Sequence, residues 1–173
     1  MKPLIFTLTA AALLTSHNLV NAECNVMLQM HAPVANQTVD AKTNTVIDNG
    51  AALMWMRCPL GYSLENNSCS NNAEMPSAFT WEQALAAADT ASHAGFNDWR
   101  LPNRKELDTI VNRNCFEPAN NELFFPATAT QNFWTNSPYP FNSQSAWGVE
   151  FEFGSHKSLP KSGEYAARLV RGL

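Results

Sequence analysis

The densest cationic group in the chain is Arg100, Arg104, Lys105 and Arg113. Guanidinium and ammonium groups clustered this way can grip sulfate, phosphate or carboxylate, the arginines in bidentate fashion. Arg104 and Lys105 follow Asn103, a helix-capping residue type, which puts them at the first two positions of a helix. The helix dipole disfavours cations there by about 0.3 kcal/mol or more. An anion held on the free backbone N–H groups of that first turn would offset the cost. The competing assignment has Arg100 in an internal salt bridge and the other three solvated. Stacking on sugar rings is the second available chemistry, through Trp55, Trp81, Trp99, Trp134 and Trp147. Four of these five sit in apolar stripes or strand runs, where burial accounts for them. Trp134 and Tyr139, beside the polar 132–142 run, are the aromatic residues expected near a binding surface.

Other constellations carry less. Glu150 and Glu152 alternate with apolar residues and should share one face of a strand. Paired carboxylates about 5–9 Å apart can hydrolyse glycosides, but alternation alone explains solvent-facing glutamates here. Glu117-Pro118-Ala119-Asn120-Asn121-Glu122 is similar to the Glu-Pro-Asn calcium loop of sugar-binding C-type lectins. An extra alanine breaks that spacing, and no later Trp-Asn-Asp completes it. His31, His93 and His156 lack ligand spacing and read as surface histidines. The G-x-S-x-G, P-loop and G-x-G-x-x-G motifs are all absent from the sequence. The expectation is therefore a binding protein rather than an enzyme, with no metal site and no cofactor.

The elements that must position these residues can be read from pattern. Residues 23–44 are polar and read as a tail. Thr45-Val46-Ile47 is a strand closed by the Asp48-Asn49-Gly50 turn, and Ala52–Met56 is a second, buried strand. A loop spans 57–78. Thr80 and Gln83 form a capping box for a helix carrying Trp81, Ala84, Leu85 and Ala88 on one face, with Gly95 as a terminator beyond it. Asn103 and Glu106 repeat the device for a second helix, with Leu107, Ile110 and Val111 buried. Phe133-Trp134-Thr135 is a short strand. A further strand carries Trp147, Val149, Phe151 and Phe153 on its apolar face, with a hairpin turn at Gly154-Ser155. Tyr165–Arg171 is the last, with Tyr165, Ala167 and Leu169 together.

The chain has 173 residues, 45% of them hydrophobic, and a net charge of −4. That size suits one domain, and the charge argues against a nucleic-acid binder. Lys2, the apolar run from Leu4 to Leu14 and the Val20-Asn21-Ala22 site read as a signal peptide over 1–22. Glu23 before Cys24 argues against a lipoprotein. Beyond that segment no span is expected, and the exported part is one charge more negative. Its four cysteines, Cys24, Cys58, Cys69 and Cys115, read as disulfides. The turn-rich 59–68 loop favours Cys58–Cys69, leaving Cys24–Cys115 to tie the tail to the domain. Chain entropy assigns about 3 kcal/mol to the short loop and over 4 to the long one.

Taken in order, Val46–Gly50, Leu53-Met54-Trp55, Thr80–Leu85, Asp98-Trp99-Arg100-Leu101-Pro102-Asn103-Arg104-Lys105-Glu106-Leu107, Phe133-Trp134-Thr135 and Val170-Arg171-Gly172 form a recognisable series. It resembles the C-terminal domain of the Legionella collagen-like adhesin, a family long classed as of unknown function. The resemblance covers roughly residues 45–172 and implies an α+β, C-type lectin-like fold, with two helices on a mainly antiparallel sheet. With the signal peptide and tail read above, the chain divides into 1–22 signal peptide, 23–44 tail and 45–173 domain. The resemblance also implies an exported, periplasmic or cell-surface module that binds a glycan or an envelope or surface protein, with a role in adhesion. A structural component of an envelope or pilus complex is the alternative. This chain has none of the adhesin's collagen-like stalk. Arg100, Arg104, Lys105, Arg113, Trp134 and Tyr139 are the candidate ligand-binding residues.

Overall fold

The computed structural model describes residues 23–24, 36–71, 77–126, 128 and 130–173. The signal-peptide reading, His31 and much of the expected tail lie outside the described residues. Two antiparallel sheets organise the domain. In the first, β3 (Thr45–Asp48) pairs with β4 (Leu53–Met56), Val46 opposite Trp55. The Asp48 carboxylate fixes the intervening turn by accepting from the backbone N–H of Gly50 and Ala51, at 3.0 and 2.9 Å. β2 (Gln37–Asp40) and β11 (Val170–Gly172) complete the order β11-β4-β3-β2. The expected tail thus contains an edge strand; Gln-Thr-Val-Asp joins through backbone pairing, with little apolar signal to announce it.

The second sheet has the order β10-β9-β8, from β8 (Asn132–Pro138), β9 (Ser145–Glu150) and β10 (Ser155–Pro160). β9 is shorter than its alternation suggested. After Glu150 the backbone carbonyls of Phe151 and Glu152 accept from Ala119 and Glu117 of a neighbouring loop, so the ladder to β10 ends. Residues 151–154 form the turn, closed by Gly154 at φ 72°. Glu152 therefore lies in a turn rather than beside Glu150 on a strand, and Phe153 is exposed. Gly154 is required twice over, since a Cβ would also lie 2.4 Å from Val111.

Both helices start where the capping boxes place them. α1 (Trp81–Asp89) is capped by Thr80, with Gln83 answering. It ends at Thr90, whose hydroxyl donates back to Ala86 and Ala87 carbonyls, and Gly95 instead serves a tight turn between His93 and Phe96. α2 (Arg104–Asp108) is only five residues long, and Ile110 and Val111 are buried just beyond it.

Two short pairs finish the domain, each stapled by a disulfide. β1 (Glu23–Cys24) pairs with β7 (Cys115–Phe116) beside Cys24–Cys115. Within the expected 57–78 loop, β5 (Tyr62–Glu65) and β6 (Ser68–Asn71) form a hairpin over Cys58–Cys69. Both pairings are those expected from the sequence. Asn66 and Asn67 turn the hairpin with φ of 50° and 61°, the left-handed values a two-residue turn needs.

Apolar side chains collect in two cores. One gathers Trp55, Leu107, Phe125, Phe133, Val149 and Phe151; the other gathers Met54, Trp99, Leu101, Trp134, Leu159 and Leu169 with α1. Each such large side chain contributes about 1.5–3 kcal/mol on burial. Tyr165, Ala167 and Leu169 enter one core together, as expected, while Ala166 and Val170 enter the other, and only the end of the 165–170 segment is regular strand. Its earlier residues pair one at a time, Tyr165 with Phe79 and Ala166 with Phe133. Arg168 falls on the aromatic side of this segment and is fully buried.

Candidate functional site

The first turn of α2 does not offer free N–H groups to an anion. Asn103 Oδ1 accepts from Lys105 and Glu106, both at 2.9 Å, and Ser137 Oγ accepts from Arg104 at 3.0 Å. Glu106 reaches back to the Asn103 N–H at 2.7 Å and also grips Arg100 with both carboxylate oxygens, at 2.7 and 2.8 Å. Arg100's hydrogen bonds hold the Glu106 carboxyl below the usual range, against a smaller upward pull from burial. Arg100 therefore serves an internal salt bridge that locks α2 to the preceding extended segment.

Arg104 projects differently. Its guanidinium lies 4.9 Å from the centre of the Trp147 ring. Trp147 occupies β9 two residues before Val149 and on the same face. Val149 goes into the core beneath α2, whereas Trp147 lies past that core and stays half-buried. The hydroxyl of Thr135 on β8 donates to the Trp147 carbonyl at 2.7 Å and fixes the strand there. Tyr139 packs edge-on against Trp147 at 4.8 Å, and Phe141 edge-on against Tyr139 at 5.5 Å. Phe141 is 85% exposed. The Tyr139–Ser145 loop that carries it is closed by Tyr139 N–H to Ser145 carbonyl and Ser145 N–H to Asn142 carbonyl bonds.

The strip continues on the other side of Trp147. His156, on β10, stands 6.4 Å from the Trp147 ring, with its Nε2 3.0 Å from Asp108 of α2. Arg113 pairs with the same carboxylate. Burial raises the Asp108 pKa, but Arg113 and His156 outweigh it and leave the carboxyl below its ordinary value. Arg113 is thus compensated, and Arg104 is the cation of the strip without a carboxylate partner among the described residues.

Of the six candidate residues, the structure brings Arg104, Arg113 and Tyr139 onto one surface. Arg100 is committed to Glu106, and Lys105 is exposed without an ion pair among the described residues. Trp134 is the clear correction. It is fully buried, donates its indole N–H to the Phe79 carbonyl at 2.7 Å, and packs on Tyr165. β8 is covered on both faces, Phe133 entering one core and Trp134 the other, so its loop-side neighbours say nothing about exposure. The residues missed are Trp147, Phe141, Asp108 and His156. Phe141 had a readable signal, a lone phenylalanine between Pro140 and Asn142-Ser143-Gln144. Trp147 had none, because alternation assigns it to the apolar face.

The fold and site define a disulfide-braced α+β domain, mainly antiparallel sheet with two short helices, presenting an aromatic strip beside one free arginine. The sequence profile of the Lcl C-terminal domain matches residues 44–171. The chain belongs to that family. No curated protein matches it.

Proposed function

We propose that this is an exported, non-catalytic binding module whose ligand is a glycan. Its sugar rings would lie on Tyr139, Phe141 and Trp147, and an acidic substituent would meet Arg104. The observation that carries the reading is Phe141, an aromatic ring 85% exposed and backed by two further rings and a cation. Rigid aromatic side chains give large contact area at low entropic cost. Clustered exposed apolar surface rimmed by polar groups marks interaction sites. Export is supported by the two disulfides, which persist in oxidising compartments. Among the described residues no helix is long and apolar enough to cross a membrane. A C-type lectin-like arrangement and an adhesive role, both implied by the family resemblance, belong to the same proposal.

The test is a glycan array probed with the oxidised chain and with Phe141→Ala/Trp147→Ala. Binding to acidic or neutral glycans that the double variant loses supports the reading. A silent array, with the domain instead co-purifying with envelope proteins through the same strip, would replace it with an assembly role.

A further inference from the structure

The aromatic strip ends on a titratable group. His156 of β10 stands 6.4 Å from the Trp147 ring, and the Arg104 guanidinium lies 4.9 Å from the centre of the same ring. The imidazole Nε2 is 3.0 Å from Asp108 Oδ1, the oxygen that Arg113 Nη2 also meets. A neutral imidazole facing a carboxylate this closely presents Nε2 as its N–H, which leaves Nδ1 to take a further proton. Nε2 is buried, but the His156 side chain as a whole is 28% exposed, so water reaches the ring.

The charges around this ring come from several elements. α2 contributes Arg104 and Asp108, the segment after it contributes Arg113, and β9 contributes Glu150. On β10 itself, Lys157 lies 3.7 Å from Glu150, and the Ser155 hydroxyl donates to that carboxylate at 2.7 Å. Glu150 and Lys157 therefore answer each other. Asp108 and Arg113 do the same while His156 is neutral. The strip then carries one net positive charge, on Arg104, which has no carboxylate partner among the described residues. Burial pulls the Asp108 carboxyl upward, but Arg113 and His156 hold it below its ordinary value, so it stays ionised at mildly acidic pH. A single carboxylate cannot offset both Arg113 and a protonated His156. Imidazoles ordinarily change charge between about pH 5 and 8, so the strip gains a second positive charge across that interval.

We propose, on the basis of the strip as a glycan site, that His156 tunes it towards acidic glycans as pH falls. At roughly 10 Å from an anion held on Arg104, the added charge raises affinity about two- to fivefold. Neutral glycans lying on Tyr139, Phe141 and Trp147 gain nothing from it. Asp108 sets the resting charge of the strip, because it alone balances Arg113.

The experiment titrates the oxidised chain with a panel of glucuronate- and sialate-bearing glycans and with their uncharged methyl esters. Each is measured at about pH 7.5 and 5.5 and at one low salt concentration, since salt screens the effect. Carboxylate sugars stay ionised at both values. The acidic glycans should bind about two- to fivefold tighter at the lower pH, and the esters equally at both. His156→Gln should remove the pH response. Asp108→Asn should raise acidic-glycan affinity by a similar factor already at neutral pH. Both variants are first checked for a parent-like melting profile. Equal acidic-glycan affinity at both pH values, a response that survives His156→Gln, or no gain in Asp108→Asn would overturn the proposal and leave the glycan site standing. No glycan bound at either pH would remove both.

Discussion

Arg168 provides a quantitative test of how the domain is built. It is fully buried, and no carboxylate pairs with it among the described residues. Its Nη1 donates to the Arg57 carbonyl and to the Met56 carbonyl at 3.1 Å, and Nη2 donates to the Thr128 hydroxyl at 2.9 Å. The guanidinium lies 5.0 and 5.8 Å from the Phe125 and Phe133 ring centres. Burial pushes its pKa down to about 9, so the group remains charged at neutral pH. Replacing it with alanine strips two buried carbonyls of a donor, at about 1–3 kcal/mol each. It also removes packing of the size lost when a long core side chain becomes alanine, about 2–5 kcal/mol. Relief of an uncompensated buried cation returns several kcal/mol of that loss. The balance is about 4 kcal/mol for Arg168→Ala. It is about 2 kcal/mol for Arg168→Met, which keeps the stem against the two rings. In a domain of this size the alanine variant should melt roughly 8–16 °C lower. Urea unfolding with both disulfides intact measures this directly. An Arg168→Met midpoint at or above that of the parent would show instead that desolvation outweighs the three-segment clasp.

Two further predictions follow from the same structure. Glu106→Gln should cost about 1 kcal/mol at neutral pH, because it weakens the bond to Arg100 while keeping the cap. The folded-state pKa of Glu106 is depressed, so its contribution is present above the unfolded value near 4.3 and disappears as pH falls through the folded value. Parent and variant stabilities should therefore converge below about pH 4, and a gap that persisted at pH 2 would show that charge is not the cause. Cys58→Ala/Cys69→Ala should lower stability by about 3 kcal/mol, the entropy of an 11-residue closure. Hydrogen exchange should locate the loosening at Tyr62–Asn71, and uniform loosening across the sheets would contradict a local staple.

The sequence made the local devices legible where a side chain answers a specific backbone need. Thr80 with Gln83 and Asn103 with Glu106 start both helices, and the turn-rich loop marks Cys58–Cys69. What escaped was set by tertiary cover. The β5–β6 hairpin hides in a polar loop because its strands alternate weakly, although Asn66-Asn67 is a two-residue turn signal. Period two assigned Trp147 to the apolar face without revealing that α2, only five residues long, stops the core short of it. The same rule left Trp134 looking like a loop-side aromatic when both faces of β8 are covered. The basic cluster was legible as a group but not as a site: Arg100 and Arg113 find carboxylates only once the chain folds. Arg104 alone is left beside an aromatic ring.

Recognition of glycans by the strip around Trp147 is open to direct measurement. Trp147→Ala and Phe141→Ala, each checked for an unchanged melting profile, should be compared with the parent on one glycan array at fixed salt. The parent should bind a defined set of glycans, reduced by about tenfold or more in each variant, with Arg104→Gln selectively losing the acidic members. Equal binding by parent and variants, or no glycan bound by a parent chain with both disulfides formed, would contradict it.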